Sequence, residues 1–446
     1  MESKATAAAA VNVGRPASGN RVAAAFCGID EGEEAVGGPT RGVPAAQNTM
    51  KVRATLVQGA QVFAPEPLGT QDVLMVSDRV VEIGPSLSAP AWADVQTIDA
   101  HGRLVFPGLV DQHVHIVGGG GEGGPQFRTP ELSLTDLTRY GLTTVVGVLG
   151  TDGTTRSTQE LLAKARALTI EGINAWLYTG AYQMPTRTIT GDPRNDIMLI
   201  DRILGVGEIA ISDHRGSHPS DRELAHLAGE ARTGGLLSGK AGVVHLHVGS
   251  GARRLDPVYQ ILSMADVPIG VMVPTHLNRT RDLLEDSVRL GRMGGFLDIT
   301  TSITPDKHDR APVSPAEAVH YLRQQGVPLD RISFSTDAGG SAPVFDAEGH
   351  LVHMGVGMPD SLFTEIVRLH EELGYDWSEA ILPGTRTPAA ILKMPDVGVV
   401  QVGARADLII TDGRAVLTVI AGGRVMVEDG KPLVFGTFEK SGDDSR

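Results

Sequence analysis

The chain has 446 residues, is 41% hydrophobic and carries a formal net charge of −14. That is apolar material for a large core, in roughly two or three domains or one barrel with attachments. The acidic balance sets the chain against phosphate backbones and anionic lipid surfaces, and with basic residues scattered singly it excludes nucleic acid as a natural partner.

The single cysteine, Cys27, leaves no internal disulfide framework and fits a reducing compartment, so a cytoplasmic protein is expected. Residues 1–49 are rich in Ala, Gly, Pro and short polar residues, carry the acidic run Glu31 to Glu34, and read as a disordered extension. Their apolar runs, such as Ala7 to Val11, are too short for a signal-peptide core. No later stretch approaches about eighteen uninterrupted apolar residues, so no membrane span is expected.

From residue 50 to 104 the pattern is of short strands: Ala54 to Val57, Val62-Phe63, Asp72 to Val76 and Val80 to Ile83, separated by turn residues. The far end, residues 398–440, matches it with Ala406 to Ile410, Val416 to Ala421 and Arg424 to Val427. One small β-sandwich built from both chain ends is the expectation. Between them, residues 105–397 alternate strand and helix. A buried strand runs from Leu104 to Val110 into His113. It is followed by Thr143 to Val148, Ala175 to Tyr178, Gly207 to Ile211, Val243 to Val248, Gly270 to Val273, Phe296 to Thr300 and Arg331 to Ser335. Helical patterns such as Thr158 to Thr169 and Ser220 to Arg232 lie between them. Eight strands so connected predict a (β/α)8 TIM-like barrel, with its chemistry at the C-terminal strand ends.

Read there, the strand ends offer ligand-type side chains. His113 and His115 stand at i and i+2 on one strand face, so both imidazoles can converge on one ion while Val114 packs on the other side. Glu208 lies on the fourth strand, His245 and His247 on the fifth, His276 closes the sixth, and Asp337 follows the eighth. Imidazole and carboxylate suit a borderline ion such as zinc. A lone inward histidine is more often a satisfied core residue, but ligand types on five strand ends make coincidence a poor account.

Local motifs narrow the reading. Pro107-Gly108-Leu109-Val110-Asp111-Gln112-His113-Val114-His115 is followed by Gly118-Gly119-Gly120-Gly121-Glu122, Leu149-Gly150-Thr151-Asp152, Thr179-Gly180-Ala181-Tyr182, Ile211-Ser212-Asp213-His214-Arg215, Pro274-Thr275-His276-Leu277-Asn278-Arg279 and Asp337-Ala338-Gly339-Gly340-Ser341. From about Met50 to about Lys440 the sequence resembles the isoaspartyl (β-aspartyl) dipeptidases of the amidohydrolase superfamily.

The resemblance implies a metallo-dipeptidase that uses a metal-bound hydroxide to hydrolyse the isopeptide bond of β-aspartyl dipeptides. It implies two divalent ions per chain and a homo-oligomer, an octamer in the family. His113, His115 and Asp337 would hold one ion, and His247 and His276 the other. His247 is preferred to His245 because it matches the family's His-Val-Gly position; spacing does not separate them. Asp337 would shuttle the proton and Tyr182 would polarise the scissile carbonyl. Glu122 would receive the substrate ammonium, with Arg215, Arg279 and Ser341 on its carboxylates and Gly120 and Thr151 as supporting contacts.

One position departs from the pattern. Where the family has a carboxylated lysine bridging both metals, this chain has Glu208, whose two oxygens can also bridge but whose reach is shorter. Lys240, in a Gly-rich turn before the fifth strand, is poorly placed to substitute. Two alternatives share the ligand set: a cyclic-amide hydrolase of the dihydroorotase or hydantoinase type, and a catalytically silent scaffold.

Overall fold

The computed structural model describes residues 52–305, 312–346 and 350–440. The disordered extension expected over residues 1–49 lies outside the described residues.

Five strands open the chain: β1 (Val52–Phe63), β2 (Pro67–Val76), β3 (Arg79–Gly84), β4 (Ala93–Asp99) and β5 (Leu104–Pro107). The eight barrel strands follow: β6 (Leu109–Val114), β7 (Leu142–Gly147), β8 (Asn174–Thr179), β9 (Ile203–Ile211), β10 (Val243–Val248), β11 (Met272–Thr275), β12 (Leu297–Thr300) and β13 (Ile332–Ser335). A hairpin, β14 (Ser341–Phe345) and β15 (Leu351–Val356), precedes the closing strands β16 (Leu408–Thr411), β17 (Val416–Ala421), β18 (Arg424–Glu428) and β19 (Lys431–Pro432).

Both chain ends build one nine-stranded sheet in the order β19-β18-β17-β16-β5-β1-β2-β3, with β4 also paired to β1. β1 serves as its spine, because its first half pairs with β4 and its second half with β5. The sheet curls about a shared core, in which Val57, Val73 and Val80 from one end meet Leu408, Ile420 and Val425 from the other. The backbone bond from Val80 N to the Ala404 carbonyl, 3.0 Å, stitches the two ends together.

The apolar run that reads as one strand from Leu104 to Val110 is two. It changes sheets at Gly108: β5 pairs with β16 in the outer sheet, while β6 pairs with β7 in the barrel. A side chain at Gly108 has no room, since a Cβ there would lie 2.2 Å from Thr143 Oγ1 and 3.0 Å from the Cβ of Asp407. The first ligand-bearing strand is therefore fed straight from the outer sheet without a loop.

β6 to β11 form a continuous parallel sheet, and β12 and β13 a parallel pair. The ring closes through two further contacts. Leu277 N donates to the Asp298 carbonyl at 3.3 Å, and beyond β13 Ala338 bridges to Val114. Around it run helices that include Thr158–Glu171 and Asp221–Ser238. Each starts at a serine whose side chain is paired reciprocally with a glutamate three residues on, Ser157 with Glu160 and Ser220 with Glu223, which satisfies otherwise orphaned amide groups. Inside the barrel, buried Asp298 accepts from Gln112, Thr275, Ser333 and Ser335 at 2.5–2.6 Å, tying β6, β11 and β13 to one carboxylate.

Some elements were invisible to pattern reading. β4 and the hairpin lack clean alternation. The sixth strand, expected over Gly270 to Val273, starts two residues later, after a 3-10 turn at Ile269–Val271.

Candidate active site

The ligand-type residues meet at the C-terminal mouth of the barrel. Glu208, buried on β9, is the hub. Its Oε1 lies 3.5 Å from His113 Nε2 and 3.3 Å from His115 Nε2, and its Oε2 lies 3.2 Å from His247 Nδ1 and 3.6 Å from His276 Nε2. One oxygen thus faces each half of the cluster, the disposition a bridging carboxylate needs. Asp337 Oδ1 joins the first half, 3.5 Å from His113 Nε2 and 3.1 Å from His115 Nε2.

Among the described residues, two groups of three donors are close enough to share an ion: His113, His115 and Asp337, and His113, Glu208 and His276. His113 Nε2 and Asp337 Oδ1 are buried without a hydrogen-bond partner. Imidazole and carboxylate donors left unsatisfied together fit a divalent cation. His247 reaches Glu208 but belongs to neither group. Its Nδ1 lies 2.7 Å from Tyr182 Oη and its Nε2 2.9 Å from Asp213 Oδ2.

Two of these residues hold unusual backbone conformations. His276 and Asp337 have φ of +63° and +55°, the left-handed region that non-glycine residues seldom adopt. Such strain persists where surrounding structure over-determines it, and it clusters at functional sites.

The charges shape each other. Burial penalises the anion at Glu208, but His113 and its neighbours overcome this and hold the carboxyl well below its ordinary range. Burial likewise opposes charge on His113, where Glu208 and Asp337 prevail and raise it well above an ordinary histidine. His276 goes the other way, driven well down by burial. Burial also raises Tyr182 well above an ordinary phenol, so its hydroxyl stays protonated.

Beside the cluster is a second, anionic site. Glu122, at the end of the glycine-rich loop after β6, accepts on Oε1 from Thr151 Oγ1 at 2.9 Å, Arg215 at 3.1 Å and Ser341 Oγ at 2.8 Å. Its Oε2 is buried with no partner among the described residues. Arg215 also pairs with Asp213 at 2.9 Å, its guanidinium over the Tyr182 ring. Arg279 is partly buried, donates to the Val248 carbonyl at 3.2 Å, and has no ion pair among the described residues. Gly120, with φ of +79°, packs so close to the Phe127 carbonyl that a Cβ would lie 2.4 Å from it. A cavity of about 330 Å³ opens here, lined by Gly120, Glu122, Arg128, Thr151 and Asp152.

All the residues singled out in the sequence thus converge, while Lys240 does not. Its Nζ donates to the Ile200 carbonyl at 2.7 Å. Sequence reading missed three supports. Asp213 takes the far nitrogen of His247. Arg156, buried, donates to the carbonyls of Val117, Gly119 and Thr129 and so fixes the glycine-rich loop. Thr129 Oγ1 then ties that loop to the Gly339 carbonyl at 2.6 Å. Asp213 stands in a quoted motif, but nothing in one sequence marks the other two.

Gly150 supplies the space for this packing. A Cβ there would lie 2.9 Å from His115 Cε1 and 3.3 Å from Glu208 Oε1. Overpacking of this kind costs roughly 1–3 kcal/mol. Gly150→Ala is therefore expected to weaken metal retention about 5- to 150-fold, read as metal content after dialysis against a chelator. Unchanged retention would mean that His115 can move freely.

Comparison with known proteins agrees with this architecture. The amidohydrolase family model matches residues 104–426. The structure of a β-aspartyl dipeptidase from Fervidobacterium islandicum AW-1, in complex with β-Asp-Leu, is 39% identical with TM-score 0.79, covering 85% of this chain and 98% of that one. A D-hydantoinase structure shares the fold at 16% identity and TM-score 0.64, covering 86% and 98%. Among curated relatives, an adenine deaminase of Roseobacter denitrificans is 24% identical over 85% of this chain, which spans only 58% of that protein's length. A dihydroorotase of Geotalea daltonii is 45% identical over 62 residues, 14% of each chain. With the family model spanning most of the chain, from β5 through the barrel to β18, this protein belongs to the amidohydrolase family.

Proposed function

We propose that the chain is a dipeptidase that hydrolyses the isopeptide bond of β-aspartyl dipeptides with two divalent ions, zinc by its donor set. One observation carries the reading: Glu122 and Arg215 stand 3.1 Å apart, with Glu122 Oε2 buried and unpartnered. A β-aspartyl group presents a free ammonium and a free carboxylate on one carbon. A carboxylate and a guanidinium side by side offer the complementary charges at the matching spacing. The likeness to the Fervidobacterium enzyme supports the same substrate.

In this reading the ammonium takes Glu122 Oε2, while Arg215 and Ser341 turn to the α-carboxylate and Thr151 and Gly120 shape the pocket. Arg279, the guanidinium left without a carboxylate, holds the carboxylate of the departing residue. His113, His115 and Asp337 would hold one ion, His247 and His276 the other, with Glu208 placed between them. When bound, the ions supply an activated water and polarise the carbonyl. Asp337 would take a proton from the attacking water and deliver it to the departing amine. Tyr182, kept protonated, donates its Oη–H to the carbonyl oxygen as negative charge develops there.

Residues 108–397 form the catalytic body on this reading, with the outer sheet on either side. No helix among the described residues is long and apolar enough to cross a membrane. A cytoplasmic homo-oligomer is the setting we infer from the family likeness and the single cysteine.

The test is turnover of β-Asp-Leu, α-Asp-Leu, N-acetyl-β-Asp-Leu, dihydroorotate, hydantoin and adenine, with metal content measured on the same sample. Turnover confined to β-Asp-Leu is expected. Equal rates on the acetylated dipeptide, or preference for a cyclic amide or adenine, would move the chain to another branch of the family.

A further inference from the structure

We propose that His245 is a positioning residue for the first metal site, holding His113 in the tautomer whose lone pair lies on Nε2. The inference rests on the metal-binding reading above. His245 and His113 project inward from β10 and β6, and neither is exposed at all. His245 Nε2 lies 2.8 Å from His113 Nδ1. A hydrogen bond between two imidazoles needs one proton between their facing nitrogens, and which ring carries it decides the far side of each.

On His113 the far nitrogen is Nε2, unpartnered and 3.5 Å from both Glu208 Oε1 and Asp337 Oδ1. To bind a cation there, a neutral imidazole keeps its lone pair on Nε2 and its proton on Nδ1. His245 Nε2 must then accept, which leaves the proton of His245 on its own Nδ1. That Nδ1 is buried with no hydrogen-bond partner among the described residues, and the ring stacks on Tyr178 with centroids 5.2 Å apart and planes 22° from parallel. A buried N–H without an acceptor is destabilising. Packing alone would favour a phenyl ring at this place, so the gain from the imidazole lies at its other edge, as the acceptor for His113.

The other histidines of the cluster are supported differently. His247 Nε2 faces the carboxylate of Asp213, His276 Nδ1 lies 2.7 Å from Thr300 Oγ1, and His115 Nδ1 has no hydrogen-bond partner. Outer partners of metal-binding histidines orient the ring and tune its basicity, and their loss costs about 10- to 100-fold in metal affinity. His113 is the residue shared by both donor groups, so its orientation bears on both.

The experiment is a zinc titration of the metal-stripped, full-length protein against a chromophoric chelator, in wild type, His245→Phe, His245→Leu and His245→Gln, with the melting temperature of each metal-stripped form. Phe and Leu are expected to weaken binding of at least one ion about 10- to 100-fold without lowering the metal-stripped melting temperature. Gln, whose amide oxygen can accept from His113 Nδ1, is expected to restore affinity to within about threefold of wild type. Wild-type affinity in both apolar variants would overturn the assignment. So would weakening that tracks a fall in the metal-stripped melting temperature, or failure of Gln to restore affinity. A wild-type protein that takes up no zinc would overturn the metal-binding reading itself.

Discussion

Glu208→Ala is expected to cut bound metal from about two ions per chain to fewer than one and to lower turnover by two to four orders of magnitude. The reason is geometric: one carboxylate touches all four histidines, Oε1 on the His113 and His115 side and Oε2 on the His247 and His276 side. That fall in turnover corresponds to roughly 3–5 kcal/mol of lost transition-state stabilisation. Circular dichroism of the variant separates this from unfolding. Because a glutamate arrives ready made, metal loading of the wild type should be indifferent to bicarbonate. Glu208→Lys should acquire that dependence if neighbouring groups can support a carboxylated lysine. Bicarbonate-dependent loading in the wild type, or full activity in Glu208→Gln, would remove Glu208 from the bridging position.

Glu122→Gln is expected to lower kcat/KM on β-Asp-Leu by roughly 2–5 kcal/mol, a factor of about 30 to several thousand, while leaving metal content unchanged. The amide oxygen can still accept from Thr151, Arg215 and Ser341, so the loop keeps its anchors. What is lost is the anion for the ammonium. Arg279→Met should act at the other end of the substrate, with a loss that shrinks on a dipeptide whose leaving residue is amidated. If Glu122→Gln hydrolyses the dipeptide as well as the wild type, the ammonium is bound elsewhere.

How far the sequence speaks for itself follows from the kind of signal each feature leaves. The barrel strands were legible because they are buried on both faces and read as apolar runs. The His113 and His115 pair was legible because alternation along a strand is a local rule. That same rule left His245 and His247 equivalent, since both face inward. They differ by one layer of depth: His247 reaches Glu208, and His245 reaches the rear nitrogen of His113. Arg156 and Thr129 left no trace, because their partners are backbone carbonyls of distant residues. The sheet change at Gly108 was hidden inside an unbroken apolar run, where period gives no boundary.

That sheet change also sets a timetable for the nascent chain. β5 pairs with β16, so Pro107 waits for Leu408, some 300 residues later. At a synthesis rate of about 5–20 residues per second, β5 spends roughly 15–60 s with one edge unpaired. The strand it leads into, without a loop, carries His113 and presents His115 just beyond its end. An open edge is a template for pairing with another chain. A chain released before Leu408 keeps that edge open for good, at the start of the barrel's first strand. β16, far from the chemistry in sequence, is what seals it.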